Sequence, residues 1–239
     1  MACIRFKNIN RVLINHLVIL LLWPVLAFGR VGPDLSGGSG VEYFTKLRMD
    51  YSKNPKTEYY PMWRVAPEHE ELVKAYREGD MDRVILLADS WLKKCPIDAD
   101  SHLRVAMCFK EKGDLPSYTY HLGIFYGLLQ SITASGDGLT PETALKVVSI
   151  HEEYSLIQEI GGKLEKQSLV KGPCDKMEIS RKNGKVKMTL YFDVSIPLAF
   201  MESQLKSKKQ SAEPDIPANG SPPSGPGTNR TSGAPVSRQ

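Results

Sequence analysis

The clearest hydrophobic–polar alternation in the chain lies in its last third, where Val186, Met188, Leu190, Phe192 and Val194 alternate with Lys187, Thr189, Tyr191 and Asp193. A period of two puts the five apolar side chains on one face and predicts a half-buried strand. Asn183-Gly184 just ahead predicts a hairpin turn, because both residues accept positive φ. Cys174 to Arg181, with Met177 and Ile179 alternating, is the expected partner, and Leu164 to Val170 offers a further strand. The β-branched run Leu145 to Ile150 predicts another. Between them, His151 to Ile160 carries a 3.6-residue period through Tyr154, Ile157 and Ile160, and Gly161-Gly162 ends it. Pro197 cannot donate to a central ladder and is expected to close the sheet.

Upstream the period is helical. Glu70 to Glu78 carries Leu72, Val73, Ala75 and Tyr76, and Met81 to Lys94 carries Val84, Ile85, Ala88, Trp91 and Leu92 before Cys95-Pro96 stops it. Asp98-Ala99-Asp100-Ser101 is a run of N-cap-type residues that opens the next helix, with Leu103, Val105, Ala106, Met107 and Phe109. Pro116 sits at the start of another, which Tyr118, Leu122, Phe125, Leu128 and Leu129 carry to Ile132. Gly79-Asp80 and Gly113-Asp114 are 34 residues apart, the period of tetratricopeptide helix–turn–helix units. Bulky Val84, Trp91, Tyr118 and Phe125 stand where that motif places small residues. Two such units are too few for a self-supporting solenoid. The hairpins are therefore expected to share a core with the sheet: an α+β fold of tetratricopeptide-like helical hairpins (about 65–132) packed on a small, mainly antiparallel β-sheet (about 145–197).

The ends of the chain differ in composition from this middle. Arg5, Lys7 and Arg11 precede an apolar stretch from Val12 to Phe28, and Ala27-Phe28-Gly29 supplies small residues at the cleavage-defining positions. Residues 1–29 thus read as a secretory signal, with export to the periplasm or the extracellular space. The alternative is an uncleaved anchor, for which the stretch is short against the ~20 residues that span a bilayer; membrane attachment would come only through this segment. Residues 30–40 are a Gly-rich linker, 41–202 must hold the fold, and 203–239, rich in Pro, Gly and Ser without an aromatic, are a disordered tail. With 31 Lys+Arg against 27 Asp+Glu, and three of those cations in the leader, the remaining charges nearly balance. No basic cluster marks a nucleic-acid partner.

Several segments taken in order carry a family resemblance. They are His102, Gly113-Asp114, His121, Gly127–Ile132, Ser135-Gly136-Asp137-Gly138, Pro141–Ala144, Glu152-Glu153-Tyr154, Pro173-Cys174-Asp175 and Leu190–Pro197. Over roughly Val41 to Met201 the chain resembles the bacterial domain-of-unknown-function family 4919, whose members are typically exported cell-envelope proteins. The resemblance implies an exported α+β domain with no assigned activity.

Candidate chemistry centres on His102, His121, Asp137, Glu152 and Glu153. His102 begins one helix of a hairpin and His121 lies midway along the antiparallel partner, so the two are expected within several Å of each other. With Asp137 or Glu152 nearby they would make imidazole–carboxylate metal ligation. No HExxH or paired CxxC spacing accompanies them, and hydrogen bonding to a neighbouring loop is the simpler expectation. Ser135–Gly138 lacks the Lys-Ser/Thr of a phosphate loop and the ligand pattern of a calcium loop, so Asp137 is expected to bond backbone amides in a tight turn, with both glycines at positive φ. Glu152-Glu153 suit a general acid or base, and equally a helix N-terminus. Cys95 and Cys108 lie some ~14 Å apart along the chain's helical rise, beyond bridging distance, and buried free thiols are expected for both and for Cys174. Tyr43, Tyr51, Tyr59, Tyr60 and Trp63 serve either a peptide or glycan site or the core. The expected function is a non-enzymatic interaction or scaffolding domain of the cell envelope, without cofactor and with a protein or peptide partner. The alternative is a hydrolase-like or metal-binding enzyme, which requires the five candidates to converge in one pocket.

Overall fold

A computed structural model describes residues 38–170 and 172–212. The leader at 1–29, the linker up to residue 37 and the tail from 213 lie outside the described residues. Two compact units divide the chain, Met1–Leu198 and Ala199–Gln239. Among the described residues of the first, helices α1 (Gly38–Lys53), α2 (Pro67–Glu78), α3 (Met81–Lys94), α4 (Ala99–Glu111) and α5 (Leu115–Thr133) precede strand β1 (Leu145–Lys146) and helix α6 (Ile150–Glu159). Strands β2 (Lys163–Val170), β3 (Cys174–Arg181) and β4 (Val186–Asp193) follow. The class is α+β.

The recurring Gly-Asp pair has a local cause. Gly79 and Gly113 both take φ +77°, the left-handed conformation that ends a helix at little cost for glycine. Each following amide reaches back to close the turn, Asp80 N to Ala75 O at 3.0 Å and Asp114 N to Phe109 O at 2.9 Å. The same aspartates then cap the next helix, Asp80 accepting from Arg83 N and Asp114 from Ser117 N, each worth about 1 kcal/mol. Two residues thus stop one helix and start another. The resulting hairpins pack in sequence, α2 on α3, α3 on α4 and α4 on α5, and α1 folds back onto α5.

Helix α1 sends Phe44, Arg48 and Tyr51 into the core, a spacing of four and three that is one helical face. The expected linker therefore ends earlier than residue 40, because Gly38–Gly40 already belong to α1.

The sheet has the order β1-β4-β3-β2. Strands β3 and β4 pair antiparallel with Met177 opposite Leu190 and Arg181 opposite Val186. Asn183 and Gly184 in the connecting turn have φ 56° and 85°, as the turn chemistry requires. Strand β2 pairs antiparallel with β3, with a register irregularity between Leu164 and Lys166. β1 pairs parallel with β4, Leu145 against Phe192. Buried Met177, Ile179, Leu190 and Phe192 form its apolar face, and α5 and α6 meet the sheet through β1 and β2.

Three further expectations are corrected. The strand anticipated over 145–150 keeps only Leu145–Lys146, because Ser149 caps α6 by accepting from His151 N and draws Ile150 into a helix. Pro197 does not close the sheet. β4 ends at Asp193, and Pro197 sits in the first turn of helix α7 (Ser195–Ala212), where its missing N–H is not needed. The change of composition at 203 does not end regular structure, since α7 continues to Ala212. Its residues from Ala199 belong to the second unit, where Ser203 Oγ donates to Phe200 O at 2.7 Å.

Among the described residues no helix is long and apolar enough to cross a membrane. Cys95, Cys108 and Cys174 are all buried free thiols.

Candidate functional site

Helices α1, α3, α4 and α5 enclose a groove of about 600 Å³. Tyr43 and Phe44 of α1, Ile85 and Leu92 of α3, Phe109 of α4 and Tyr120 of α5 are among its walls. His102 and His121 line it together, from facing helices of one hairpin. Tyr43 is 52% and Tyr120 40% exposed, so both stand at the rim rather than in the core. The groove falls within the 300–1,000 Å³ range typical of ligand sites.

The two imidazoles meet directly, His102 Nδ1 to His121 Nδ1 at 3.0 Å. His102 Nε2 lies 3.2 Å from the carbonyl oxygen of Pro96. A carbonyl only accepts, so His102 Nε2 carries the proton and its Nδ1 is the acceptor for His121 Nδ1–H. Burial, and after it the neighbouring His121, bring His102 down to about 4; burial also lowers His121. Both rings are therefore neutral at pH 7. Phe109 stacks on His121 with centroids 5.7 Å apart and Tyr120 meets it edge-on at 5.1 Å.

The other three candidates do not line this groove. Glu152 is buried in a two-point ion pair with Arg48, Nε to Oε1 and Nη2 to Oε2 both at 2.7 Å. It also accepts from Val148 N at 2.8 Å, while Arg48 donates to Ser131 Oγ at 3.0 Å and to Lys146 O at 2.9 Å. Each strong charge is thus matched inside, and Glu152 is engaged as structure. Glu153 is fully buried, and neither of its carboxyl oxygens has a hydrogen-bond partner. Burial, followed by the nearby Asp175 and Glu152, pushes it up to about 9, so it holds a proton at pH 7.

Asp137 forms the tight turn, accepting from Leu139 N at 2.9 Å and from Thr143 Oγ1. Those bonds hold its carboxyl below the usual range. Only Gly138 takes positive φ there, 68°. Gly136 serves close approach instead, since a Cβ on it would lie 2.3 Å from Thr143 O.

A second polar assembly has no signal in the local sequence pattern. Arg64 pairs with Asp100, Ser155 Oγ donates to Asp100 Oδ1 at 3.0 Å, and Arg64 N donates to His151 Nε2 at 3.2 Å. Beside it Asp98 accepts from Trp91 Nε1 at 2.8 Å and from Ser101 Oγ at 2.6 Å. Although burial works against its charge, His69, Ser101 and Trp91 hold Asp98 below the ordinary carboxylate range. The run Asp98–Ser101 signals a helix start, and Asp98 does cap α4. Nothing in the local pattern shows that Asp100 turns inward to meet a residue 36 positions upstream. Of the aromatic-rich segment, Tyr51, Tyr60 and Trp63 are core residues, and Tyr43 alone among them lines the groove.

A family model described as domain of unknown function (DUF4919) matches residues 41–203. No curated protein and no solved structure matches the chain.

Proposed function

The chain belongs to the DUF4919 family, and from that premise we propose that it is a non-enzymatic interaction domain, exported to the cell envelope, that docks a segment of a partner protein in the α1/α3/α4/α5 groove. The observation that carries the reading is the groove itself, aromatic on several sides and rimmed by exposed Tyr43 and Tyr120. Aromatic side chains of this kind dominate binding hot spots because they bury much area at low entropy cost. Export is supported by the basic-then-apolar character of residues 1–29.

The hydrolase-like alternative lacks its required convergence, because Asp137 and Glu152 are bonded elsewhere, Glu153 is buried, and none of the three lines the groove. The metal-binding alternative fares no better. Three of the four imidazole nitrogens are engaged by Pro96 O and by each other, and among the described residues no group of three or more His, Cys, Asp or Glu side chains is placed to hold a metal ion.

The test is peptide display on the wild-type chain with counter-selection on Tyr120→Glu, a rim substitution that the fold tolerates because the position is exposed. Selected peptides are expected to lose binding to the variant. Peptides that bind both proteins equally contradict the reading.

A further inference from the structure

The hydrogen-bond chain at the groove has a direction. It runs from His121 Nδ1–H to His102 Nδ1, and from His102 Nε2–H to Pro96 O. With His102 fixed by the carbonyl and His121 forced to donate, a neutral His121 keeps its lone pair on Nε2. Among the described residues the hydrogen bond of His121 runs through Nδ1 and none reaches Nε2, which is not among the polar atoms sealed from solvent. The Pro96 carbonyl, two rings away, thereby dictates that the imidazole pair offers an incoming ligand an acceptor and not a donor. Two aromatic rings pack against His121, Phe109 within 15° of parallel to it and Tyr120 crossing it at 83°, in a groove whose remaining walls are mostly apolar apart from Asp89 and Lys93. A ligand that fits must bring an aromatic face to these rings and an N–H or O–H to Nε2.

We propose that His121 Nε2 is the recognition atom of the groove and selects a flat aromatic side chain with a hydrogen-bond donor on its edge, a Trp or Tyr of the docked partner segment. The inference rests on the groove being the docking site. An aromatic ring without a donor fills the same space but strips water from Nε2 without replacing the bond, a penalty of about 1–3 kcal/mol. Selectivity of about fivefold to a hundredfold follows, since each 1.4 kcal/mol is tenfold.

Indole and benzofuran are near-isosteric probes, one with a ring N–H donor and the other with a ring oxygen and no donor. Titrated into the wild-type chain, indole is expected to bind about tenfold more tightly and to move the His121 Nε2 nitrogen resonance, which benzofuran leaves in place. His121→Phe is expected to erase the preference while both probes still bind. Equal affinities in the wild type, indole binding that leaves Nε2 unmoved, or no binding of either probe overturns the proposal. The nitrogen shift is read on the wild-type chain, so it stands even if His121→Phe fails to fold. If both probes bind equally and perturb groove amides, donor selection fails while the docking groove stands. If the display-selected peptides ignore Tyr120→Glu, the groove reading itself fails.

Discussion

Arg48 and Glu152 lie 104 residues apart in the chain and meet through two parallel hydrogen bonds of 2.7 Å, with both side chains buried. The pair ties α1 to the first turn of α6, and through Ser131 and the Lys146 carbonyl it also ties α5 to β1. Removing one partner of a buried pair leaves the other charge uncompensated, which costs about 3–5 kcal/mol. Glu152→Gln is expected to lower unfolding stability by that amount in urea, with the denaturant slope unchanged. Arg48→Met combined with Glu152→Leu is expected to recover much of the loss. A Glu152→Gln variant as stable as the wild type would remove this pair from its role.

Gly127 fixes how closely α1 approaches α5. A Cβ built there would lie 2.0 Å from Phe44 Cε2, and Phe44 is fully buried and also forms a wall of the groove. Gly127→Ala is expected to destabilise by about 1–3 kcal/mol through overpacking, measured by thermal unfolding. Adding Phe44→Leu should restore part of it by vacating the clash. If Gly127→Ala alone is stabilising, as helix propensity by itself predicts, the contact is looser than described.

Glu153 makes the fold sensitive to base. Its folded value of about 9 lies above the ordinary 4.5. Between those limits the folded state holds a proton that the unfolded chain has released. Stability therefore falls as pH rises through that window, by up to about 1.4 kcal/mol per pH unit for one proton. Glu153→Gln mimics the protonated acid and cannot ionise. It is expected to unfold at a higher temperature than the wild type at pH 8, with the difference shrinking toward pH 5. An equal difference at both pH values contradicts the assignment.

Buried histidines set the opposite limit. His102 and His151 are each drawn down to about 4, first by burial, against 6.5 in the unfolded chain. The unfolded state binds more protons between those values, so their contribution is present above 6.5 and lost as pH falls toward 4. His102→Gln is expected to flatten the acid limb of the stability–pH curve in that window. An acid limb as steep in the variant as in the wild type would exclude His102 from it.

How legible the molecule was depended on whether its determinants were local. Gly79-Asp80 and Gly113-Asp114 act within one turn, and both hairpins were visible from them. The β4 alternation and Asn183-Gly184 placed the β3–β4 hairpin for the same reason. Helix α1 is hard to read from sequence because its core face carries Arg48, a charge that breaks the apolar period and is satisfied by Glu152, Ser131 and the Lys146 carbonyl, all distant in the chain. Strand β1 is shorter than its pattern suggests because, although Val147 and Val148 have strand-like side chains, Ser149 and Glu152 decide the backbone path by binding the His151 and Val148 amides. At the site, hairpin geometry brings His102 to His121, but the partners of Glu152 and the burial of Glu153 are set by tertiary packing, and those of Asp137 by one turn's own hydrogen bonds. Asp100, read as a capping-type residue, pairs with Arg64 through contacts that no local spacing encodes.

Backbone amide mapping by NMR, with a display-selected peptide titrated into the chain, tests the docking groove most directly. The expected result is perturbation concentrated on Tyr43, Phe44, Ile85, Phe109, Tyr120 and His121, absent in Tyr120→Glu. Perturbation confined to the strands β2 and β3, with the groove amides unmoved, would contradict it.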